Sequence, residues 1–249
     1  METHPPHIHH SSGKKFSNYF YEFLMLFLAV FCGFMAENFR EEKVEHSREK
    51  GFMKTLVEDL KTDTSNLKTE IELGEIVSDR LDSLVQLLNE GTQKENVFLL
   101  YKLNNKSSRV VRVDFEDRTS SQLKNAGNMR LIYNNLVADS IRSYWSKIKV
   151  LENISNRLED ITNKAQDLSI QIFHNKYISI SDMNDPIHST STIIPHPKLI
   201  NDNSELIAQY SNRRSHSLLV LRNYVLNLKR TTRQAVNLIN FIEKEYQLK

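Results

Sequence analysis

A single carboxylate stands in an otherwise apolar run near the start of the chain. The run FSNYFYEFLMLFLAVFCGFMA covers residues 16–36, and Glu22 is its only charged side chain. An acidic residue within a membrane span usually faces protein or water rather than lipid. Three interpretations of Glu22 follow: it lies at an interface between helices, it carries protons, or it reaches the headgroup region from the first turns of the helix.

Small residues share a helical stripe with this carboxylate. At about 100° per residue, Glu22, Ala29, Gly33 and Ala36 fall on one side of a helix. Ala29 and Gly33 form a small-xxx-small pair, which lets two membrane helices approach closely. The sequence therefore predicts a transmembrane interface at Glu22, Ala29, Gly33 and Ala36, through which the chain would associate with itself or with a protein partner.

The apolar run is long enough to place these residues in a bilayer. About 21 residues of helix extend roughly 31 Å, close to the thickness of the hydrocarbon core. Lys14 and Lys15 precede the run and charged residues follow it, which predicts a single transmembrane helix at residues 16–37. Two alternatives stay open. A cleaved signal peptide would need a shorter apolar region and a small-x-small site, and a buried core helix would fit the strictly apolar part of about 14 residues.

The segment before the span is rich in imidazoles. His4, His7, His9 and His10 lie among prolines, serines and a glycine. Clustered imidazoles can bind a transition metal, but only Glu2 stands near them as a further ligand. We expect residues 1–15 to be a disordered tail and any metal binding there to be adventitious.

Composition excludes several classes of protein. The 249 residues include 33 basic and 31 acidic side chains, which gives a formal net charge of +2 with both signs interleaved. No nucleic-acid partner is expected from this balance. The single cysteine, Cys32, lies in the span, which excludes a disulfide scaffold or a cysteine zinc site in the rest of the chain. Six glycines and five prolines are too few for an all-β fold with many tight turns.

The spacing of apolar residues predicts an all-α fold. The span continues without a helix breaker into a polar, helical stretch, and two further long runs to about residues 174 and 246 alternate in steps of three and four, as in coiled coils. We expect residues 38–249 to form a soluble, antiparallel bundle of long helices, with a loop at 179–203 and bends at Gly51 and Gly74. At most a small β-hairpin is expected near residues 97–115, where an extended loop packed on the helices fits as well.

Two short motifs precede the second long helix. Thr119 and Gln122 have the spacing of a capping box, in which the threonine begins a helix. Gly127 and Asn128 then form a predicted turn, where the glycine ends one helix and the asparagines start the next.

The stretches FREEKVEHSREKGFMKTLVEDLKTD and TSSQLKNAGNMRLIYNNLVADSIRSYW resemble a bacterial family of single-pass membrane proteins classed as a domain of unknown function. Its members follow the anchor with an R/E-rich helix and later carry a pattern like L-x-x-S-G-N-L-x-L-I-x-N. Here that pattern begins at Leu123, and Ala126 stands where serine is usual. The resemblance implies a membrane-anchored helical domain and supplies no reaction.

No motif in the sequence points to catalysis. There is no nucleophile–base pairing, glycine-rich phosphate loop, HExxH or zinc-ligand spacing, so we expect no enzyme activity and no cofactor. We expect a scaffold or interaction module in the bacterial inner membrane. The alternatives are a membrane sensor that transmits a signal, or a proton-coupled, stator-like subunit that uses Glu22.

The charges that flank the span bear on its orientation. Lys14 and Lys15 adjoin the membrane on the N-terminal side, whereas more basic residues follow the span but alternate with glutamates. We expect the N-terminus inside and the bundle in the periplasm.

Overall fold

The computed structural model of the chain describes residues 13–91, 93–125, 127–180 and 191–248. Of these described residues 82% are helical, which confirms the all-α class. The α-helices of the described residues are α1 (Gly13–Asn89), α2 (Val97–Lys106), α3 (Arg118–Asn125), α4 (Asn135–Ile172) and α5 (Ser204–Glu245). Two short strands, β1 (Ile178–Ile180) and β2 (Ser191–Ile193), pair antiparallel with Ile178 opposite Ile193. Most of the predicted tail, residues 1–12, lies outside the described residues.

The chain divides into two compact units, Met1–Gly51 and Phe52–Lys249. The described part of the first unit is the N-terminal portion of α1. The second unit contains the rest of α1 and all the other helices and strands.

Polar contacts give the relative directions of α1 and α5 in the second unit. As the residue numbers rise along α1, the numbers of their partners fall along α5, so the two helices are antiparallel. Three ion pairs mark this direction: Lys61 with Glu243, Glu75 with Lys229, and Asp82 with Arg222.

Helix α4 is also antiparallel to α5 and therefore parallel to α1. Asn134 donates to Glu245, and Gln234 donates to Ser143. Two parallel helices cannot be joined by a tight turn, so the chain must return along the bundle between the end of α1 and the start of α4.

Asparagines begin the two later helices. The Oδ1 atom of Asn134 accepts from the N–H of Leu136 at 2.9 Å, and the Oδ1 atom of Asn203 accepts from the N–H of Glu205 at 2.8 Å. Each bond satisfies a backbone donor that has no partner inside its helix. Helix α1 ends just before Gly91, which adopts φ = +76°, the left-handed conformation that commonly ends helices.

The core of the second unit consists of three apolar clusters along the bundle. Each cluster contains buried side chains of α1, α4 and α5, together with some from the shorter elements. Representative members are Leu56, Ile141 and Ile239 in the first cluster, Leu67, Leu151 and Leu228 in the second, and Leu84, Ala165 and Tyr210 in the third.

At most a small β-hairpin was expected near residues 97–115, and the structure has no strand in these residues. Residues 97–106 form α2, because Leu100, Tyr101 and Asn104 lie at helical spacing and are all buried. We call the stretch that follows, residues 107–117, the return segment. Its residues 109–115 form neither helix nor strand and lie extended against the helices. Of the predicted loop at 179–203, residues 181–190 lie outside the described residues.

Helical structure continues through both glycines at which bends were expected. Gly74 serves close packing instead. A Cβ atom built on it would lie 2.6 Å from Cγ2 of Val225 and 3.5 Å from Cγ1 of Val111. Only glycine lets α1, α5 and the return segment approach this closely.

Replacing Gly74 by alanine is expected to destabilise the fold. Overpacking typically costs about 1–3 kcal/mol, which exceeds the roughly 0.8–1 kcal/mol gained from the higher helix propensity of alanine. Gly51→Ala is the matched control, because a Cβ atom there meets nothing within 4 Å. Denaturant unfolding of the full-length chain in detergent, followed by circular dichroism, should show a lower free energy of unfolding for Gly74→Ala only. Equal stability of the two variants would contradict the close approach at Gly74.

Candidate functional site

The predicted membrane segment is an apolar helix that the chain itself does not cover. Its best 18-residue window has a mean hydropathy of 1.8 and is 0% buried, so it is long and apolar enough to cross a membrane. Large side chains stand exposed along it, among them Phe16 at 81% and Phe34 at 67%. This exposure disfavours the alternative of a buried core helix.

The residues of the predicted transmembrane interface all lie on this helix. Glu22, Ala29, Gly33 and Ala36 are exposed, as is the neighbouring thiol of Cys32. In this helix Phe27 stacks with both Phe23 and Phe31, at centroid distances of 6.3 and 6.0 Å.

The predicted Gly-Asn turn has a backbone role. Gly127 adopts φ = +65° and precedes a 3-10 helix at Asn128–Leu131. The Nδ2 atom of Asn128 donates to the carbonyl of Gln122 at 3.2 Å, across the turn from α3. A left-handed φ is the conformation that favours glycine, so the turn orders the chain before α4.

A set of hydrogen bonds in the second unit joins α1 to the return segment and to the start of α3. Four polar side chains of α1 bind successive backbone groups of residues 112–119, and we call this set the polar ladder. Three carboxylates accept from backbone N–H groups: Glu70 Oε2 from Arg112 (3.1 Å), Asp63 Oδ1 from Glu116 (2.8 Å) and Asp59 Oδ2 from Thr119 (3.0 Å). The Nδ2 atom of Asn66 donates to the carbonyl of Asp114 (3.0 Å).

Helix and strand geometry explain why this ladder fits. Its four α1 residues are spaced four, three and four apart, which places them on one stripe and advances about 4.5–6 Å per step. Two residues of an extended chain advance about 6.6–6.8 Å, which is close to one step along α1, so Glu70, Asn66 and Asp63 meet the backbone of residues 112, 114 and 116 in turn. The last step covers three residues and reaches the N–H of Thr119 in α3. The alternate side chains Val111 and Val113 point into the core and are buried.

The far side of the return segment contacts α4 and α5. The Tyr224 hydroxyl hydrogen-bonds the backbone of Val113 and the side chain of Ser155. The segment is thus held on one side by α1 and on the other by α5. Helix side chains here bind backbone groups that in a sheet would pair with a neighbouring strand.

Asp63 is the buried centre of the ladder. The residue is 2% exposed, and its Oδ2 atom accepts a hydrogen bond from the Tyr144 hydroxyl at 2.8 Å. Burial is the largest cause that raises the pKa of Asp63, to about 6, and the charges of Asp59 and Glu116 also raise it. Hydrogen bonds from the Glu116 N–H and the Tyr144 hydroxyl lower the pKa but do not offset these causes. Burial, followed by the charge of Asp63, also raises the pKa of Tyr144.

Asp59 links the ladder to the start of α3. It accepts from Arg118 Nη2 at 2.6 Å as well as from the Thr119 N–H. Thr119 lies inside α3, and its buried hydroxyl has no hydrogen-bond partner among the described residues. The predicted capping box is therefore wrong: the Asp59 carboxylate of α1 accepts from the Thr119 N–H, a donor that a capping box would leave to the side chain of Gln122.

A cleft of about 370 Å³ opens beside the return segment. Lys124, Trp145, Lys149 and Glu152 line it together with residues 112–117, and Lys124 Nζ lies 4.3 Å from the centre of the Trp145 ring. Asp63 does not line this cleft, so its carboxyl group holds the fold together rather than meeting a ligand there. Among the described residues no group of three or more His, Cys, Asp or Glu side chains could hold a metal ion.

Sequence reasoning missed the polar ladder, although a signal for it exists. Asp59, Asp63, Asn66 and Glu70 form a stripe that borders the apolar stripe of Leu56, Leu60 and Leu67. The spacing alone shows that these polar residues share a helix face. It does not show that a distant segment of the chain supplies their partners.

Asp63 should make stability depend on pH. Its pKa is about 6 in the folded chain against an ordinary value of 3.8, so between these values the folded state binds more protons than the unfolded state. The stabilisation is complete below about pH 4 and is lost as the pH rises through 6, by at most about 3 kcal/mol. Asp63→Asn, which is neutral throughout, should remove this component from the free energy of unfolding measured at pH 4 to 7.5.

Glu72→Gln is the control for this measurement, because Glu72 is an exposed carboxylate on the same helix. It should keep the pH dependence of the unaltered chain. A difference in the free energy of unfolding between Asp63→Asn and the unaltered chain that is the same at pH 4 and pH 7 would show that Asp63 does not titrate as described.

A comparison with family models, curated proteins and solved structures found no match for this chain.

Proposed function

We propose that the chain is a membrane-anchored helical-bundle protein that acts as an interaction or scaffold module. The observation that carries this proposal is the exposed apolar helix at the N-terminal end of α1. Fully burying one large apolar side chain is worth about 1.5–3 kcal/mol, and many such side chains stand exposed there. A bilayer is the solvent in which this exposure is favourable.

The bundle supports a binding role more than a chemical one. Its polar groups are used to hold its own segments together: Asp63 binds the return segment, and Asp59 binds the start of α3. The cleft beside Trp145 combines an aromatic ring with lysines and carboxylates, which suits contact with a polar protein surface. We infer that the bundle presents such surfaces to a partner while the anchor keeps it at the membrane.

The anchor is proposed to lie in a bacterial inner membrane with the bundle in the periplasm. Lys14 and Lys15 support a cytoplasmic N-terminal side, and the resemblance of the post-anchor sequence to a bacterial family supports the source. Self-association through Ala29 and Gly33 would bring two anchors into close contact.

The first expected result is membrane retention. The full-length chain should pellet with membranes on ultracentrifugation, stay there after carbonate washing, and enter the supernatant only with detergent. A variant that lacks residues 16–36 should remain in the supernatant as a folded helical protein. Recovery of the full-length chain in the detergent-free supernatant would overturn the proposal.

The second expected result concerns self-association. Oxidation in membranes should join two chains through Cys32, and Gly33→Leu should reduce the disulfide-linked dimer several-fold because the added side chain separates the helices. Met35→Leu is the control, since residue 35 lies about 200° further round the helix. Equal yields of dimer from both variants would exclude the Ala29 and Gly33 interface.

Glu22→Gln separates the scaffold function from a proton-coupled one. In a scaffold this change should alter assembly at most, as measured by the dimer yield. Complete loss of a cellular phenotype with unchanged membrane insertion and dimer yield would favour the stator-like alternative.

A further inference from the structure

The return segment is bound on one edge by α1 and is partly open on the other. Along an extended chain, the backbone groups of successive residues point to alternate edges. The polar ladder binds residues 112, 114 and 116, so the odd-numbered residues turn their N–H and C=O groups away from α1. There the Tyr224 hydroxyl hydrogen-bonds the backbone of Val113. The N–H and C=O groups of Phe115 make no hydrogen bond among the described residues.

The cleft of about 370 Å³ lies beside this open edge. Residues 112–117 line the cleft together with one face of α4, which includes Trp145, Ile148, Glu152 and Asn156. Since α1 occupies the first edge of the return segment, the cleft lies between the second edge and α4. Its volume falls within the range of about 300–1,000 Å³ that is typical of ligand pockets.

Aromatic side chains give the cleft an apolar lining. Trp145, Phe115 and Tyr224 all border it, and Trp145 is 8% exposed. The Nζ atom of Lys124 lies 4.3 Å from the centre of the Trp145 ring, a position in which an aromatic face attracts a cation. An apolar side chain of a ligand can bury surface against these rings.

The charged side chains of the cleft that lack an ion pair are mainly acidic. Four carboxylates border it and form no ion pair with any described residue: those of Asp114, Glu116, Asp117 and Glu152. Two basic side chains of the cleft, Lys124 and Lys149, also form none, and Arg112 lies 3.6 Å from Glu159. The excess of carboxylates favours a basic ligand, because complementary charge steers association and selects the partner.

The backbone groups of Phe115 decide between a helical and an extended ligand. A helix pairs its own N–H and C=O groups and could not bind those of Phe115. A residue of an extended peptide can accept from the N–H of Phe115 and donate to its C=O, as in a hydrogen-bonded pair of antiparallel strands. Peptides that add a strand to an open edge gain affinity from the main chain and specificity from alternate side chains.

We propose that the cleft binds an extended, basic peptide segment of a partner protein, which pairs with Phe115 as a strand beside the return segment. The site rests on the proposed function, since it is the place where the interaction module holds its partner. One peptide residue exchanges two hydrogen bonds with Phe115. Lysine or arginine side chains on either side of it meet Glu116 and Glu152, and an apolar side chain packs against Trp145.

The probe is a library of random heptapeptides displayed on phage, selected against the immobilised full-length chain in detergent. The enriched peptides should contain lysine or arginine next to apolar residues. A synthetic copy of the most enriched peptide should bind the chain in solution, as measured by fluorescence anisotropy. Methylating its backbone nitrogens one at a time should weaken binding about tenfold at the residue that pairs with Phe115, because the carbonyl there loses its donor.

Amide hydrogen exchange locates the bound peptide without any variant. The N–H of Phe115 has no partner among the described residues and should exchange more slowly only when the synthetic peptide is present. The N–H of Glu116 is the internal control, because it already donates to Asp63 at 2.8 Å. Its exchange should change little on binding.

Matched variants test the charge of the cleft. Glu152→Lys reverses an exposed carboxylate of the cleft and should weaken peptide binding about tenfold, because like charges then meet. Glu72→Lys makes the same change at an exposed position of α1 that does not line the cleft, and it should leave binding unchanged. Circular dichroism checks that both variants fold, and hydrogen exchange at Phe115 decides if one does not.

Three results would overturn this site. They are the enrichment of no peptide or only of peptides without basic residues, equal binding by Glu152→Lys and Glu72→Lys, and unchanged exchange at Phe115 in the complex. Each leaves the membrane anchor untouched, because peptide binding is measured on the purified chain. Recovery of the full-length chain in the detergent-free supernatant, with peptide binding intact, would instead overturn only the anchor.

Discussion

The fold of the second unit depends on satisfying the backbone of a chain that must run back along a helix bundle. Parallel α1 and α4 require this return, and an extended return segment has no neighbouring strand to bind its N–H and C=O groups. Buried backbone groups without partners cost free energy comparable to a lost hydrogen bond. The polar ladder of α1 removes that cost, with Asp63 and Asp59 binding the N–H groups of Glu116 and Thr119.

The polar ladder places a carboxyl group, that of Asp63, among the buried residues of α1. Asp63 lies buried next to Tyr144, and burial raises its pKa towards neutrality. Removing one partner from such a contact leaves a buried polar group without a bond, which costs more than the bond itself contributes. The ladder therefore fixes the end of the return segment next to α3. Its start is fixed by Arg214 of α5, which is buried and whose Nη2 atom donates to Ser107 Oγ.

The long helices were predictable from the sequence, because their apolar residues repeat at three- and four-residue steps. Residues 97–115 were predictable only in part. The alternation of RVVRVDF correctly predicts an extended segment, whereas VFLLYKL is a short apolar run whose periodicity fits a helix or a strand. The packing of Leu100 and Tyr101 decides for the helix. Gly74 shows the same limit, since a glycine at a bend and a glycine at a close contact look alike in sequence. The partners of Asp59 and Arg214 could not be predicted, because they lie more than 50 residues away.

The polar ladder also determines which positions evolution can alter freely. It binds main-chain atoms, so the outward side chains of Arg112, Asp114 and Glu116 are not specified by it. At the exposed positions 112 and 116 the ladder requires only an amide hydrogen, so proline alone is barred there by it. Position 119 is limited further, because its side chain is buried. The surface beside the Trp145 cleft can thus diversify, and acquire or lose a partner, while the scaffold beneath it stays intact.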